Sequence, residues 1–259
     1  PISGPTSEEG GTAKFTFKVN TVPDDLDSST NNDNVTINIS SSDTTEGTVY
    51  PSQLVFTKSN WNSENQITVT GVDDNVSDGN QSYSIILDVD NSTTAVGYSI
   101  LNPSDVNLYN IDSDSPGYYV SSVSRDTDES GRTATFTVRL SSQPTNNVTI
   151  DVVSSDTGEG TISSSDSQLT FSASNWNAEQ TVTVTGVDDN LTDGDQSYAI
   201  LLSDNTSTDT RYQYVDPPDV TLKNLDLDGN KGGFYVSAIS RDTDESGRTA
   251  TFTVRLSSQ

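Results

Sequence analysis

Carboxylates are the side chains of this sequence whose type and spacing could do chemistry. VDDNVSDG (72–79) places Asp73, Asp74 and Asp78 in one short stretch, and VDDNLTDG (187–194) places Asp188, Asp189 and Asp193 at the same offsets. Three further groups travel with each copy: Glu8 and Glu129; Asp43 and Asp156, both in SSDT; and Asp112 with Asp114, matched by Asp226 with Asp228. They lie among Gly, Asn, Ser and Thr, a composition that favours turns. If the turns of one copy meet at one end of a domain, six or seven carboxylates converge. Like charges that close repel by several kcal/mol in a low-dielectric setting. A hard cation relieves this. Ca²⁺ takes about six to eight oxygens at ~2.3–2.6 Å and tolerates irregular geometry, whereas Mg²⁺ holds on to its waters. With neither His nor Cys in the chain, calcium fits better than zinc or copper. The plainer alternative is a set of solvated turns; recurrence of four groups at matched positions favours the ion. VDDNVSDG lacks the D-x-D-x-D-G spacing of an EF-hand.

Composition narrows the rest. The chain has 259 residues, no Cys, His or Met, and a formal charge of −26. Thiol chemistry, soft-metal sites and Ser-His-Asp triads are excluded. Paired carboxylates serve as acid and base in glycosidases, but duplicated groups on turns argue against a single active site, and no enzyme is expected. So negative a charge repels nucleic acid and anionic membrane surfaces. No apolar run approaches the ~18 residues of a membrane span, and no signal peptide opens the chain. Its abrupt start and finish read as a piece of something longer.

The elements that must position the carboxylates are repeated. RDTDESGRTATFTVRLSSQ occurs at 125–143 and again, letter for letter, at 241–259, a period of 241 − 125 = 116. The expected division is a first repeat over 1–116, a second over 117–232, and the opening strands of a third over 233–259. The first repeat holds an extra DDLDSSTN after Pro23, read as a longer hairpin loop. A period of this length suits an independently folding bead. Within it apolar residues alternate, as in Ala134, Phe136, Val138 and Leu140, or Val148, Ile150 and Val152. Such short Val/Ile/Thr-rich runs predict an all-β antiparallel β-sandwich. Trp61 and Trp176, each in SNWN, read as packing residues rather than a sugar platform; Glu46 and Glu159, in EG turns, read as surface residues. Lys14 and Lys18 become Thr135 and Arg139, so a shared isopeptide crosslink is not expected.

E-x-x-G-T, then S-D-x-x-E-G-T, then V-D-D-x-x-x-D-x-x-x-S-Y, then an Asp-rich exit resembles the Calx-β domain, over about nine-tenths of the chain. The resemblance implies an immunoglobulin-like sandwich that binds calcium where the chain exits. It implies as ligands Glu8, Asp43, Asp73, Asp74, Asp78, Asp112 and Asp114, and in the second repeat Glu129, Asp156, Asp188, Asp189, Asp193, Asp226 and Asp228. It also implies tandem use in large bacterial surface proteins. The Calx-β domains of sodium–calcium exchangers have more acids after the DD pair; here stand Gly79, Asn80 and Gln81, or Gly194, Asp195 and Gln196. That departure implies fewer ions, one or two per repeat, with a structural rather than a sensing role.

The expected function is a calcium-stabilised stalk or fibre segment of a secreted or surface adhesin-type protein, with neighbouring repeats as partners. Two alternatives stay open. One is a glycan- or ligand-binding module using an aromatic such as Tyr98 or Tyr109; the other is a filament subunit joined to further copies by strand addition.

Overall fold

The computed structural model describes residues 1–23, 33–92, 94–95, 97–203, 207–228 and 234–256. The extra DDLDSSTN lies outside the described residues. The chain divides into two compact units, Pro1–Ser115 and Pro116–Gln259. Among the described residues there is no α-helix.

In the first unit the strands are β1 (Thr6–Ser7), β2 (Thr12–Phe17), β3 (Val35–Ser41), β4 (Gly47–Tyr50), β5 (Gln53–Phe56), β6 (Asn65–Gly71), β7 (Gln81–Val89) and β8 (Val106–Ile111). One sheet runs β1-β8-β7-β3-β5 and the other β2-β6-β4. Alternation explains both. Ile37, Ile39, Ile85 and Leu87 point inward from the first sheet to meet Phe15, Ile67 and Val69 from the second, all buried. Each such side chain contributes roughly 1.5–3 kcal/mol on burial.

The second unit repeats the plan. Its strands are β9 (Tyr118–Val120), β10 (Thr127–Asp128), β11 (Thr133–Leu140), β12 (Val148–Ser154), β13 (Gly160–Ile162), β14 (Gln168–Phe171), β15 (Gln180–Gly186), β16 (Gln196–Ser203) and β17 (Val220–Leu225). The sheets run β10-β17-β16-β12-β14 and β13-β15-β11-β9. Trp61 and Trp176 are partly buried against the two cores, so they pack as expected. A last hairpin, β18 (Phe234–Val236) with β19 (Val254–Leu256), forms a two-stranded sheet of its own with exposed side chains.

One step of each sandwich is parallel. β1 runs beside β8, with Thr6 opposite Asn110 and Ser7 opposite Ile111; β10 runs beside β17 likewise. This seats the first turn next to the chain's exit. It also demands glycine at the end of β6: a Cβ on Gly71 would stand 2.1 Å from the Ser7 carbonyl oxygen, and one on Gly186 2.2 Å from that of Asp128.

Candidate metal centre

The acidic loop after β6 is shaped by its own aspartates. Asp73 Oδ1 accepts the Asn75 amide at 3.1 Å, and Asp74 Oδ1 accepts the Val76 amide at 2.8 Å. These overlapping turns put Asn75 at φ 62 and Gly79 at φ 78, with Asn190 at 60 and Gly194 at 80 in the second copy. Asn and Gly tolerate that left-handed backbone. The exit strand is then stitched to the loop. Asp112 Oδ2 accepts the Gly79 amide at 2.6 Å and its Oδ1 the Asp114 amide at 2.7 Å. Asp226 does the same with Gly194 at 2.8 Å and Asp228 at 2.6 Å.

The bracing leaves two groups of carboxylates in each repeat. The inner group is Glu8, Asp73 and Asp114, repeated as Glu129, Asp188 and Asp228; one oxygen from each member lies within 4.8 Å of the others. Glu8 is buried, its Oε2 accepting the Ser113 amide at 2.7 Å. Burial, reinforced by Asp112, Asp114 and Asp74, pushes its carboxyl up to about 7. Burial also raises Asp114, helped by Asp73, Asp112 and Asp74. Asp114 Oδ2 is buried and has no hydrogen-bond partner. Glu129, buried with its Oε2 on the Leu227 amide at 2.5 Å, is raised first by burial and then by Asp228, Asp226 and Asp188.

The outer group is Glu46, Asp74 and Asp78, repeated as Glu159, Asp189 and Asp193. Here the expectation for the two glutamates is corrected: Glu46 is buried and Glu159 half-buried, and both join the carboxylate groups. The register explains why. Gly47 pairs with Gly71, so Glu46 stands beside the start of the acidic loop, its carbonyl accepting the Val72 amide at 3.1 Å. Asn110 Nδ2 donates to Val72 O at 2.9 Å and reaches Glu46 Oε2 at 3.5 Å; Asn224 serves Val187 O at 2.7 Å and Glu159 Oε2 at 3.3 Å. Burial raises both glutamates, with Asp78 and Asp74 adding to it for Glu46, and Asp189 and Asp193 for Glu159.

Asp43 and Asp156 are not members of these close groups, but each lies near enough to the outer one to add to the upward push on Glu46 or Glu159. Asp43 is exposed, its Oδ1 accepting the Thr45 amide at 3.0 Å and the Thr45 hydroxyl at 2.5 Å; Asp156 Oδ1 accepts the Gly158 amide at 2.9 Å. Asp112 and Asp226 brace the loop with both oxygens. The remaining five residues proposed for each repeat are divided between the inner and outer groups.

The donor set is oxygen only, and carboxylates held this close with raised proton affinity suit a hard divalent cation. The buried Asp114 oxygen points the same way, since an unmet acceptor costs about 1–3 kcal/mol unless something coordinates it. The residues present therefore fit calcium; Glu8, Asp73 and Asp114 would hold one ion and Glu46, Asp74 and Asp78 a second.

Family comparison places this arrangement. The Calx-beta domain profile matches residues 6–114 and 112–228, and the chain belongs to the Calx-beta domain family. No curated protein matches it. Among solved structures it is similar to the calcium binding domain CBD12 of CALX1.1, with 12% identity over 86% of this chain and 96% of that one, at a TM-score of 0.36. CBD12 from CALX1.2 gives 11% identity over 86% and 98%, at 0.37. Domains 4 and 5 of the S-layer protein SbsC give 16% over 85% and 92%, at 0.29. Family membership rests on the profile match.

Proposed function

We propose that each repeat binds two calcium ions at the end where its last strand exits, and that a tandem run of such repeats serves as a stiffened segment of an extracellular surface protein or fibre. The observation that carries this reading is the inner group, in which Glu8 is pushed up to about 7 beside a buried Asp114 oxygen with no hydrogen-bond partner. Folding brings like charges together there and leaves them short of a partner. An ion supplies it, and because the unfolded chain lacks the assembled site, binding adds directly to stability. The exit segment Asp112–Asp114 belongs to the site, so an ion fixes the direction in which the chain leaves the repeat. The role is mechanical and non-catalytic, and neighbouring repeats are its first partners.

Of the aromatics named for the glycan-binding alternative, Tyr109 is exposed, while the others are engaged within the fold. Trp61 packs on the core, and Tyr98 Oη is committed to the Thr21 carbonyl at 2.7 Å. Thermal melts in calcium and in EDTA test the proposal. Calcium at a hundredfold excess over Kd adds about 2.7 kcal/mol per site, and the expected result is a clear rise in Tm. Identical melts in the two conditions contradict it.

A further inference from the structure

Four segments carry the carboxylates of the first repeat's two groups: the turn after β1 with Glu8, the turn before β4 with Glu46, the loop after β6 with Asp73, Asp74 and Asp78, and the exit after β8 with Asp114. All four meet on one side chain that holds no charge. β8 turns Leu108 into the core, and a period of two calls for a second apolar side chain at 110. The residue there is Asn110, and it is 1% exposed. A buried amide is unfavourable unless its polar atoms are hydrogen-bonded, and here both atoms are.

The Nδ2 of Asn110 donates to the Val72 carbonyl at 2.9 Å, at the root of the acidic loop. The same nitrogen reaches Glu46 Oε2 at 3.5 Å. Its Oδ1 accepts the Thr6 hydroxyl at 2.9 Å, two residues before Glu8. Thr6 accepts in turn from Tyr83 Oη at 2.8 Å, inside the core. Asn110 itself stands two residues before Asp112, which braces the exit. Val72 O and Glu46 Oε2 only accept, so the orientation of the amide is fixed. With Oδ1 and Nδ2 both spent on the protein, Asn110 is not itself a ligand.

The second repeat makes the same exception. Asn224 follows the core residue Leu222 by two positions, is 2% exposed, and serves Val187 O at 2.7 Å and Glu159 Oε2 at 3.3 Å. There Thr127 donates to the Lys223 carbonyl at 3.1 Å instead, so the amide joins three segments where Asn110 joins four.

We propose that Asn110 is the positioning residue for both ion sites of the first repeat, fixing the acidic loop, Glu46 and β1 against the exit strand. This rests on the two-ion reading above. A carboxylate in either group serves one ion, whereas Asn110 serves both without touching either. Partners that orient metal ligands in this way are worth about 10–100-fold in affinity.

Calorimetric titration with calcium tests this on the full chain carrying Glu129→Gln and Glu159→Gln, which silence the second repeat so that the first is read alone. Asn110→Ser weakens both remaining ions by about 10–100-fold, at a temperature where its melt in EDTA shows it folded. Glu8→Gln and Glu46→Gln each remove one ion and leave the other. Thr6→Val keeps the shape of the side chain and removes only the hydroxyl that holds Oδ1; it weakens the inner ion, and it carries the test if Asn110→Ser does not fold. Unchanged affinities in either variant that folds overturn the proposal, whatever the EDTA melts show, because a packing role moves the melts alone. Loss of a single ion in Asn110→Ser overturns it too, while the two-ion reading stands. A parent that binds no calcium overturns that reading and this proposal together.

Discussion

At the scale of residues, Glu8 and Asp209 show the two ways this chain keeps a buried carboxylate. Glu8 is surrounded by other acids and is pushed up to about 7 by burial and their charge. Glu8→Gln removes that repulsion, so it raises Tm in EDTA while lowering it in calcium, where it deletes a ligand and the roughly 2–3 kcal/mol an ion adds. A reversal of sign between the two melts checks this; a loss of Tm in both points to plain packing. Asp209 is 1% exposed, yet it is matched by a cation. Burial alone would raise its carboxyl, but Arg211 at 2.9 Å and the Arg211 and Thr145 amides hold it well below the usual range of 3.8. A depressed folded pKa gives stability that is full above 3.8 and lost as pH falls through the folded value. Asp209→Asn therefore costs roughly 3 kcal/mol in urea melts at neutral pH, and the gap from the parent narrows once pH drops below 3.8.

At the scale of elements, the end of the sandwich is set by close approaches that sequence patterning conveys only in part. The inward faces of β3, β7, β12 and β16 were legible, since Val, Ile and Leu alternate with polar residues. So were the acidic loop and the exit aspartates, because they recur at fixed offsets. The two-residue strands β1 and β10 were not, being too short to show a period, and they seat Glu8 and Glu129 beside the exit. Glu46 read as a surface turn residue because its burial depends on cross-strand register, which places it opposite the loop, and no local motif reports that. Asp43 read as a ligand from its recurrence in SSDT; the structure gives its Oδ1 to Thr45 and sets it beside the outer group, outside the closest cluster. The same register makes a prediction. A Cβ on Gly160 would stand 2.3 Å from Tyr198 Oη, and that hydroxyl bonds Thr127 at 2.9 Å within β10. Gly160→Ala must move Tyr198 and with it β10, at ~1–3 kcal/mol of stability and with weaker calcium binding in the second repeat; an unaltered urea midpoint contradicts the packing argument.

At the scale of the whole molecule, part of the acid behind the charge of −26 is gathered in the same way in both repeats. Each unit concentrates acids at one end, and among the described residues four groups of three carboxylates stand ready for cations. The departure after the DD pair led to an expectation of one or two ions per repeat, and the geometry divides each set into two groups. The most direct test of this account is a calorimetric titration of the calcium-free chain. The predicted result is saturable binding that approaches four ions per chain, one for each carboxylate group, with Glu8→Gln removing one of them and Glu46→Gln another. Titration without saturable heat, or a stoichiometry unchanged by both substitutions, would contradict it.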